Sequence, residues 1–279
     1  MDFIQSAIER ARRDRRSGGA TVAETRAGAP IPKIVDAEPT PDRSELWATL
    51  ADFAPRPANL ERNLIVTHRR GPDTAHFDMI RTRLLHQMRA NDWRRVAITS
   101  PGVACGKTTL ALNLAFSMAR QPDIFTLLAE LDLRRPSIAR FLCVSRPRQF
   151  ARVLAGQDVP ENHLLRIGDN LAVAINTAPV ANAAELLQAT AAGHAMDALE
   201  ARYAPDIVIC DMPPMLLTDD TLAFLDQIDC ALLVAAAERT TMAEIERCSA
   251  DLAARTNFLG VVLNKCRYLE RSEGYGYGY

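Results

Sequence analysis

With 279 residues, 48% of them hydrophobic, the chain is long enough for one α/β domain of about 200 residues with extensions at its ends. Its formal net charge of −1 provides no global basic field, so nothing in the charge balance argues for nucleic acid as a partner. No run approaches the ~20 apolar residues of a membrane-spanning helix; the best, Ala231 to Ala237, is strand-sized. Met1-Asp2-Phe3-Ile4 leads into an arginine cluster rather than following the order of a secretion signal, and a cytoplasmic location is expected. Cys105, Cys143, Cys210, Cys230, Cys248 and Cys266 form no CxxC pair and read as free thiols, not as zinc ligands or disulfides.

Residues 1–16 predict a basic amphipathic helix, with Phe3, Ile4, Ala7, Ile8 and Ala11 on one face and five arginines from Arg10 to Arg16. Such a helix is either a solvated terminus or a contact for a membrane surface or partner. Residues 17–63 hold six of the sixteen prolines and predict a linker, with Leu46, Trp47, Leu50 and Phe53 forming a short helix that docks on the main domain.

From 64 to 268 short apolar, β-branched runs alternate with helical stretches. Strands are expected at Arg95 to Thr99, Phe125 to Leu131, Leu171 to Ile175, Asp206 to Asp211, Cys230 to Ala235 and Phe258 to Leu263. Helices are expected at Thr74 to Ala90, Lys107 to Ala119, Ala181 to Ala201 and Thr241 to Thr256. This alternation predicts an α/β P-loop NTPase fold: a mainly parallel sheet of about six or seven strands with helices on both faces. Ligands of such sheets bind at the carboxyl ends of the strands. Residues 269–279 predict a flexible tail carrying Tyr275, Tyr277 and Tyr279, spaced by Gly276 and Gly278.

The chemistry-bearing residues fall at those strand ends. Between the first expected strand and its helix lies Ser100-Pro101-Gly102-Val103-Ala104-Cys105-Gly106-Lys107-Thr108-Thr109, the strand–loop–helix context of a phosphate loop. Residues 102–109 would wrap backbone N–H groups around phosphate oxygens, Lys107 would reach the β- and γ-phosphates, and Thr108 would ligate Mg²⁺. Pro101 stands where the usual pattern has its first glycine. The run ending Cys210-Asp211-Met212-Pro213-Pro214 closes on an acid placed to reach that metal. The run ending Glu130-Leu131-Asp132 puts two more acids on one side, if strand alternation holds. MgATP is the cofactor these residues predict.

These motifs resemble the bacterial tyrosine autokinases of capsule and exopolysaccharide synthesis, the CpsD/CapB type within the MinD/ParA-like P-loop ATPases. The resemblance runs from about Ile80 to Cys266 and recurs at the tail. Glu130 to Pro136 is similar to the family's D-x-D-x-R-R-P with Glu in place of the first Asp, Asp211 to Pro214 to D-x-P-P, Asn182 to Leu187 to N-P-x-E-L-L, and Val262 to Asn264 to V-L-N. It implies Lys107, Glu130, Asp132 and Asp211 as catalytic residues, Glu130 taking the phenol proton; Thr108, Asp132 and Asp211 around the metal; Asn264 at adenine; and Tyr275, Tyr277 and Tyr279 as phosphoacceptors. It further implies a homo-oligomer, activated by a transmembrane Wzz-type chain-length regulator that brings it to the inner face of the plasma membrane. Of the family's E-x-x-R-x-x-R helix, aligned with Ala75, Asp78 and Arg81, only Arg81 is kept. The alternatives are a MinD/ParA-like positioning ATPase and a nucleotide-binding scaffold without transfer activity.

Overall fold

The structure is a computed structural model that describes residues 43–267; the expected helix 1–16, most of the linker and the tail tyrosines lie outside the described residues. Eight strands form one sheet: β1 (Ala51–Asp52), β2 (Arg95–Thr99), β3 (Thr126–Glu130), β4 (Leu164–Ile167), β5 (Leu171–Ala174), β6 (Ile207–Asp211), β7 (Cys230–Ala236) and β8 (Asn257–Asn264). Their spatial order is β1-β4-β5-β3-β6-β2-β7-β8, parallel throughout except where β4 meets β5. All six expected strands are present. The two additional ones complete the β5 edge.

The helices are α1 (Arg43–Ala48), α2 (Pro57–Arg62), α3 (Ala75–Asn91), α4 (Lys107–Ala119), α5 (Ile138–Leu142), α6 (Phe150–Leu154), α7 (Ala183–Gln188), α8 (Thr190–Tyr203), α9 (Asp220–Phe224) and α10 (Met242–Ala253). One core layer packs Leu84, Leu114 and Ile138 from α3, α4 and α5 on one sheet face, and the other packs Phe150, Met196, Phe224 and Leu252 from α6, α8, α9 and α10 on the opposite face. Coverage on both faces explains why β2, β3 and β6 are buried at every position and read as unbroken apolar runs. The stretch expected as one helix from Ala181 to Ala201 is two, because Ala189 takes an extended conformation (ψ 138°) between them.

Residues 43–62 correct the linker boundary: they belong to the folded domain. Trp47 is 1% exposed, its indole N–H donates to the Tyr203 carbonyl at 2.7 Å, and its ring meets Phe125 edge-on at 5.0 Å. Arg43 lies over the other side of Phe125 and pairs with Asp206 at 3.2 Å, while β1 pairs with β4. The prolines at 55 and 57 punctuate a short strand and helix here. Composition alone mistook them for linker.

The strand order brings the chemistry together. β6 lies between β2 and β3, in register so that Asp211 stands beside Ile98 on one side and Glu130 on the other. The loops leaving β2, β3 and β6 therefore open at one edge of the sheet.

Candidate active site

The phosphate loop begins at Ser100 and ends where α4 starts. Ser100 donates its hydroxyl to the Gly102 carbonyl at 2.8 Å, and the Cys105 thiol reaches the same carbonyl at 3.3 Å, which closes the loop on itself. Ala104 (φ 59°) and Gly106 (φ 97°) take left-handed conformations, and such turns aim successive N–H groups inward. A side chain at Gly106 would strike the Asn264 amide. The loop is also stitched to the turn after β6: Met215 and Leu216 donate backbone N–H to Ser100 and Pro101 at 2.9 and 3.1 Å. Pro101 serves here as an acceptor, a role for which proline needs no N–H. Val103 crests the loop half-exposed, and the Thr109 carbonyl accepts from buried Asn113 at 2.8 Å inside α4.

Lys107 and Thr108 open α4 and turn toward the acids. The Lys107 ammonium donates to Asp132 Oδ2 at 2.6 Å and stands 3.7 Å from Asp211 Oδ1. Burial works to lower the Lys107 pKa, but Asp211 and Asp132 outweigh it and hold the group as an ammonium. The Thr108 hydroxyl donates to Asp211 Oδ2 at 2.8 Å. Asp211 is fully buried, and burial pushes its pKa up against the opposing pull of Lys107 and Thr108.

These residues fit a hard divalent cation. Asp211 Oδ1 is buried with no hydrogen-bond partner, although an acceptor so placed is costly to leave unmatched. Beside it lie a hydroxyl and a second carboxylate, an all-oxygen donor set of the kind Mg²⁺ prefers with waters and phosphate completing the shell. Among the described residues no group of three or more His, Cys, Asp or Glu side chains converges on a metal site. The donors here are two acids and a hydroxyl.

Glu130 departs from its expected role. The strand ends at Glu130, and the N–H groups of Leu131 and Asp132 both turn to the Asp211 carbonyl, at 2.9 and 3.0 Å, so alternation no longer governs Asp132. Glu130 is 0% exposed. Its Oε1 accepts the backbone N–H of Ser137 at 2.6 Å and of Ile138 at 2.7 Å, and its Oε2 accepts that of Asn176 at 2.7 Å. Burial pushes its pKa to about 7 despite those three donors. With both oxygens engaged and no exposed surface, Glu130 is a poor fit to the expected role of proton acceptor. It anchors the 131–138 loop.

Several partners escaped the sequence reading. Asn176 returns its amide to the Glu130 carbonyl at 3.1 Å, and the Ser137 hydroxyl approaches that of Thr108 to 3.5 Å. Arg134 forks onto buried Asp220 at 2.7 and 2.9 Å, joining the loop that carries Asp132 to the start of α9. Asn264 donates to the Cys105 carbonyl at 2.9 Å, and its oxygen accepts the N–H of Lys265. Both ends of that amide are engaged within the chain, so the side chain expected at adenine is seen bracing the phosphate loop. Asp78 and Arg81 are also paired internally, at 3.2 Å. Of the partners newly found, Asn176, Ser137, Arg134 and Asp220, only Arg134 had a signal in the sequence, through the motif spacing of 130–136.

No protein-family model matches the chain. It is 28% identical over 225 residues to the tyrosine-protein kinase YwqD of Bacillus subtilis, covering 80% of this chain and 93% of that one. Its relatives are bacterial tyrosine-protein kinases. A putative tyrosine-protein kinase EpsB of Ralstonia nicotianae is 27% identical, across 77% of this chain but only 30% of its own length. Among solved structures, the kinase domain of the Escherichia coli tyrosine kinase ETK superposes with a TM-score of 0.61 at 29% identity, covering 71% of this chain and 77% of that domain. The resemblance read from the phosphate loop and the two acidic strand ends is to this group, and its P-loop α/β fold is the fold found here.

Proposed function

We propose that this chain is a protein-tyrosine kinase that transfers the γ-phosphoryl group of ATP to the tyrosines of its own C-terminal tail. The observation that carries the reading is the cluster at the phosphate loop, with Lys107 held 2.6 Å from Asp132 and Thr108 2.8 Å from an Asp211 whose second oxygen is buried without a hydrogen bond, 3.7 Å from the Lys107 ammonium. Kinship with tyrosine-protein kinases supports phenol as the acceptor.

Residues 102–109 would bind the phosphates through backbone N–H groups, and Lys107 would neutralise the transferring group. Thr108 and Asp211, with Asp132 near, would hold Mg²⁺, which when bound supplies charge stabilisation at the phosphates. With Lys107 on phosphate and Thr108 and Asp211 on the metal, Asp132 would be the carboxylate placed to take the phenol proton, in place of Glu130. A phenol with a pKa near 10 gains from such a partner and from being held in line. Asn264 would fix the loop that meets the nucleotide, next to the adenine it was expected to contact.

By the same resemblance, the chain would regulate exopolysaccharide or capsule polymerisation from the cytoplasmic side, assembled with copies of itself and activated by a Wzz-type transmembrane partner. In keeping with this, among the described residues no helix is long and apolar enough to cross a membrane.

Purified chain incubated with MgATP should acquire phosphotyrosine on the peptide bearing Tyr275, Tyr277 and Tyr279, read by mass spectrometry. Lys107→Met should abolish the signal while the far-ultraviolet circular dichroism is retained; phosphotyrosine persisting in that variant would overturn the mechanism.

A further inference from the structure

Three exposed apolar side chains stand around the phosphate loop. Val103 is 42% exposed at its crest, Leu217 is 56% exposed just past the turn after β6, and Met242 is 67% exposed at the start of α10. Each is fastened to the loop close by. The Leu216 N–H donates to the Pro101 carbonyl at 3.1 Å, and the Thr240 hydroxyl lies 3.8 Å from the Cys105 sulfur. A single exposed apolar residue is ordinary on any surface. Three lying in the loop or within two residues of its bonded partners mark an apolar margin beside a polar site.

The chain departs for its C-terminus beside the same loop. β8 ends at Asn264, and Asn264 donates to the Cys105 carbonyl at 2.9 Å. Tyr275 follows Asn264 by 11 residues, a length that spans at most about 36–40 Å when extended. The tail therefore starts at the loop with chain to spare. Its last five residues carry three phenol rings separated by glycine. A tyrosine offers a flat apolar body with a polar tip, and the intervening glycines leave the rings as its only apolar groups.

We propose that Val103, Leu217 and Met242 form the acceptor subsite of this kinase, a rim that grips the tyrosine rings of residues 268–279 and leaves each hydroxyl turned toward the Lys107–Asp132 cluster. The inference rests on the kinase reading and adds to it the surface that selects an aromatic acceptor.

The test is steady-state phosphorylation of a synthetic peptide of residues 268–279 by the full chain, comparing the wild type with Leu217→Ser/Met242→Gln and measuring ATP affinity in the same preparations. The KM for the peptide should rise at least about tenfold, as expected for loss of apolar contact with an aromatic ring. ATP affinity should stay unchanged, and Leu217→Met/Met242→Leu should restore the peptide KM. An unchanged peptide KM overturns the proposal. So does a parallel loss of ATP affinity, which would give the rim to the nucleotide, or a loss of self-association in light scattering with the peptide KM unmoved, which would give it to contacts between copies. If the wild type phosphorylates no peptide, the kinase reading fails by itself. Fluorescence anisotropy of a labelled peptide with its tyrosines replaced by phenylalanine then still decides the rim: binding lost in the double serine/glutamine variant supports it, and binding retained overturns it.

Discussion

Arg134 holds Asp220 with two nearly parallel bonds, 2.7 Å from Nε and 2.9 Å from the terminal nitrogen, and Asp220 is fully buried while Arg134 is partly in solvent. The pair joins the loop after β3, which carries Asp132, to the start of α9, which follows the strand that ends at Asp211. It is a brace across the site rather than a reagent within it.

Removing the fork strands a carboxylate in the interior, and a buried charge without its partner is strongly destabilising. Arg134→Ala should lower the urea midpoint and raise the Mg²⁺ concentration needed for half-maximal activity. Arg134→Lys should recover only part of the loss, since a point charge cannot reproduce a planar two-bond contact. Full recovery by lysine would show that charge alone matters.

Glu130 makes a separate prediction about pH. Its folded-state pKa near 7 lies above the ordinary value of 4.5, so between those pH values the folded chain retains a proton that the unfolded chain has released. Stability should therefore fall as pH rises through this window, by at most about 1.4 kcal/mol per pH unit from this group, and level off above pH 7. Glu130→Gln should lack that slope. It should also be less stable at pH 5.5, because one of its amide N–H groups must face a backbone N–H that Glu130 now accepts. Urea unfolding of both proteins at pH 5.5 and 7.5, with chelator present, reads the difference. Transfer activity in Glu130→Gln should remain within about tenfold of wild type, whereas Asp132→Asn should lose about 10²–10⁴-fold if Asp132 takes the proton. The reverse ranking would return the base role to Glu130.

The unmatched Asp211 oxygen sets a third expectation. MgADP at about 100 times its dissociation constant should raise the unfolding free energy by about 2.7 kcal/mol through binding to the folded state alone. Asp211→Asn should keep little of the increment that Mg²⁺ adds to ADP. Thermal unfolding with ADP in the presence and absence of Mg²⁺ separates the two contributions, and equal Mg²⁺ increments in both proteins would remove Asp211 from the metal site.

How much of this was legible in the sequence depends on what each residue had to declare. β2, β3 and β6 are buried on both faces, so their apolar runs announced them, and Gly106-Lys107-Thr108 fell where a strand passes into a helix. β4 was not legible, because four residues that include Arg166 have too little pattern to stand apart from a turn. Trp47 was read as part of a short helix inside a linker, and the prolines around it hid how deeply that segment enters the core. Glu130 was placed at the right strand end, but alternation tells which side a carboxylate faces and not which N–H groups reach it first. Those donors come from Ser137, Ile138 and Asn176, two of them seven or eight residues away and the third more distant still. Asp220 carries no motif of its own, and only its contact with Arg134 shows its part.

Arg43, Trp47 and Phe125 meet at the amino ends of the parallel strands, where Arg43 also reaches Asp206 and the Ala204 carbonyl. Lys107, Asp132 and Asp211 lie at the carboxyl ends, and Asn264 releases the last strand there. The domain thus has two poles, with Arg43 and Trp47 packed at one and the last residue of β8 bonded to the phosphate loop at the other.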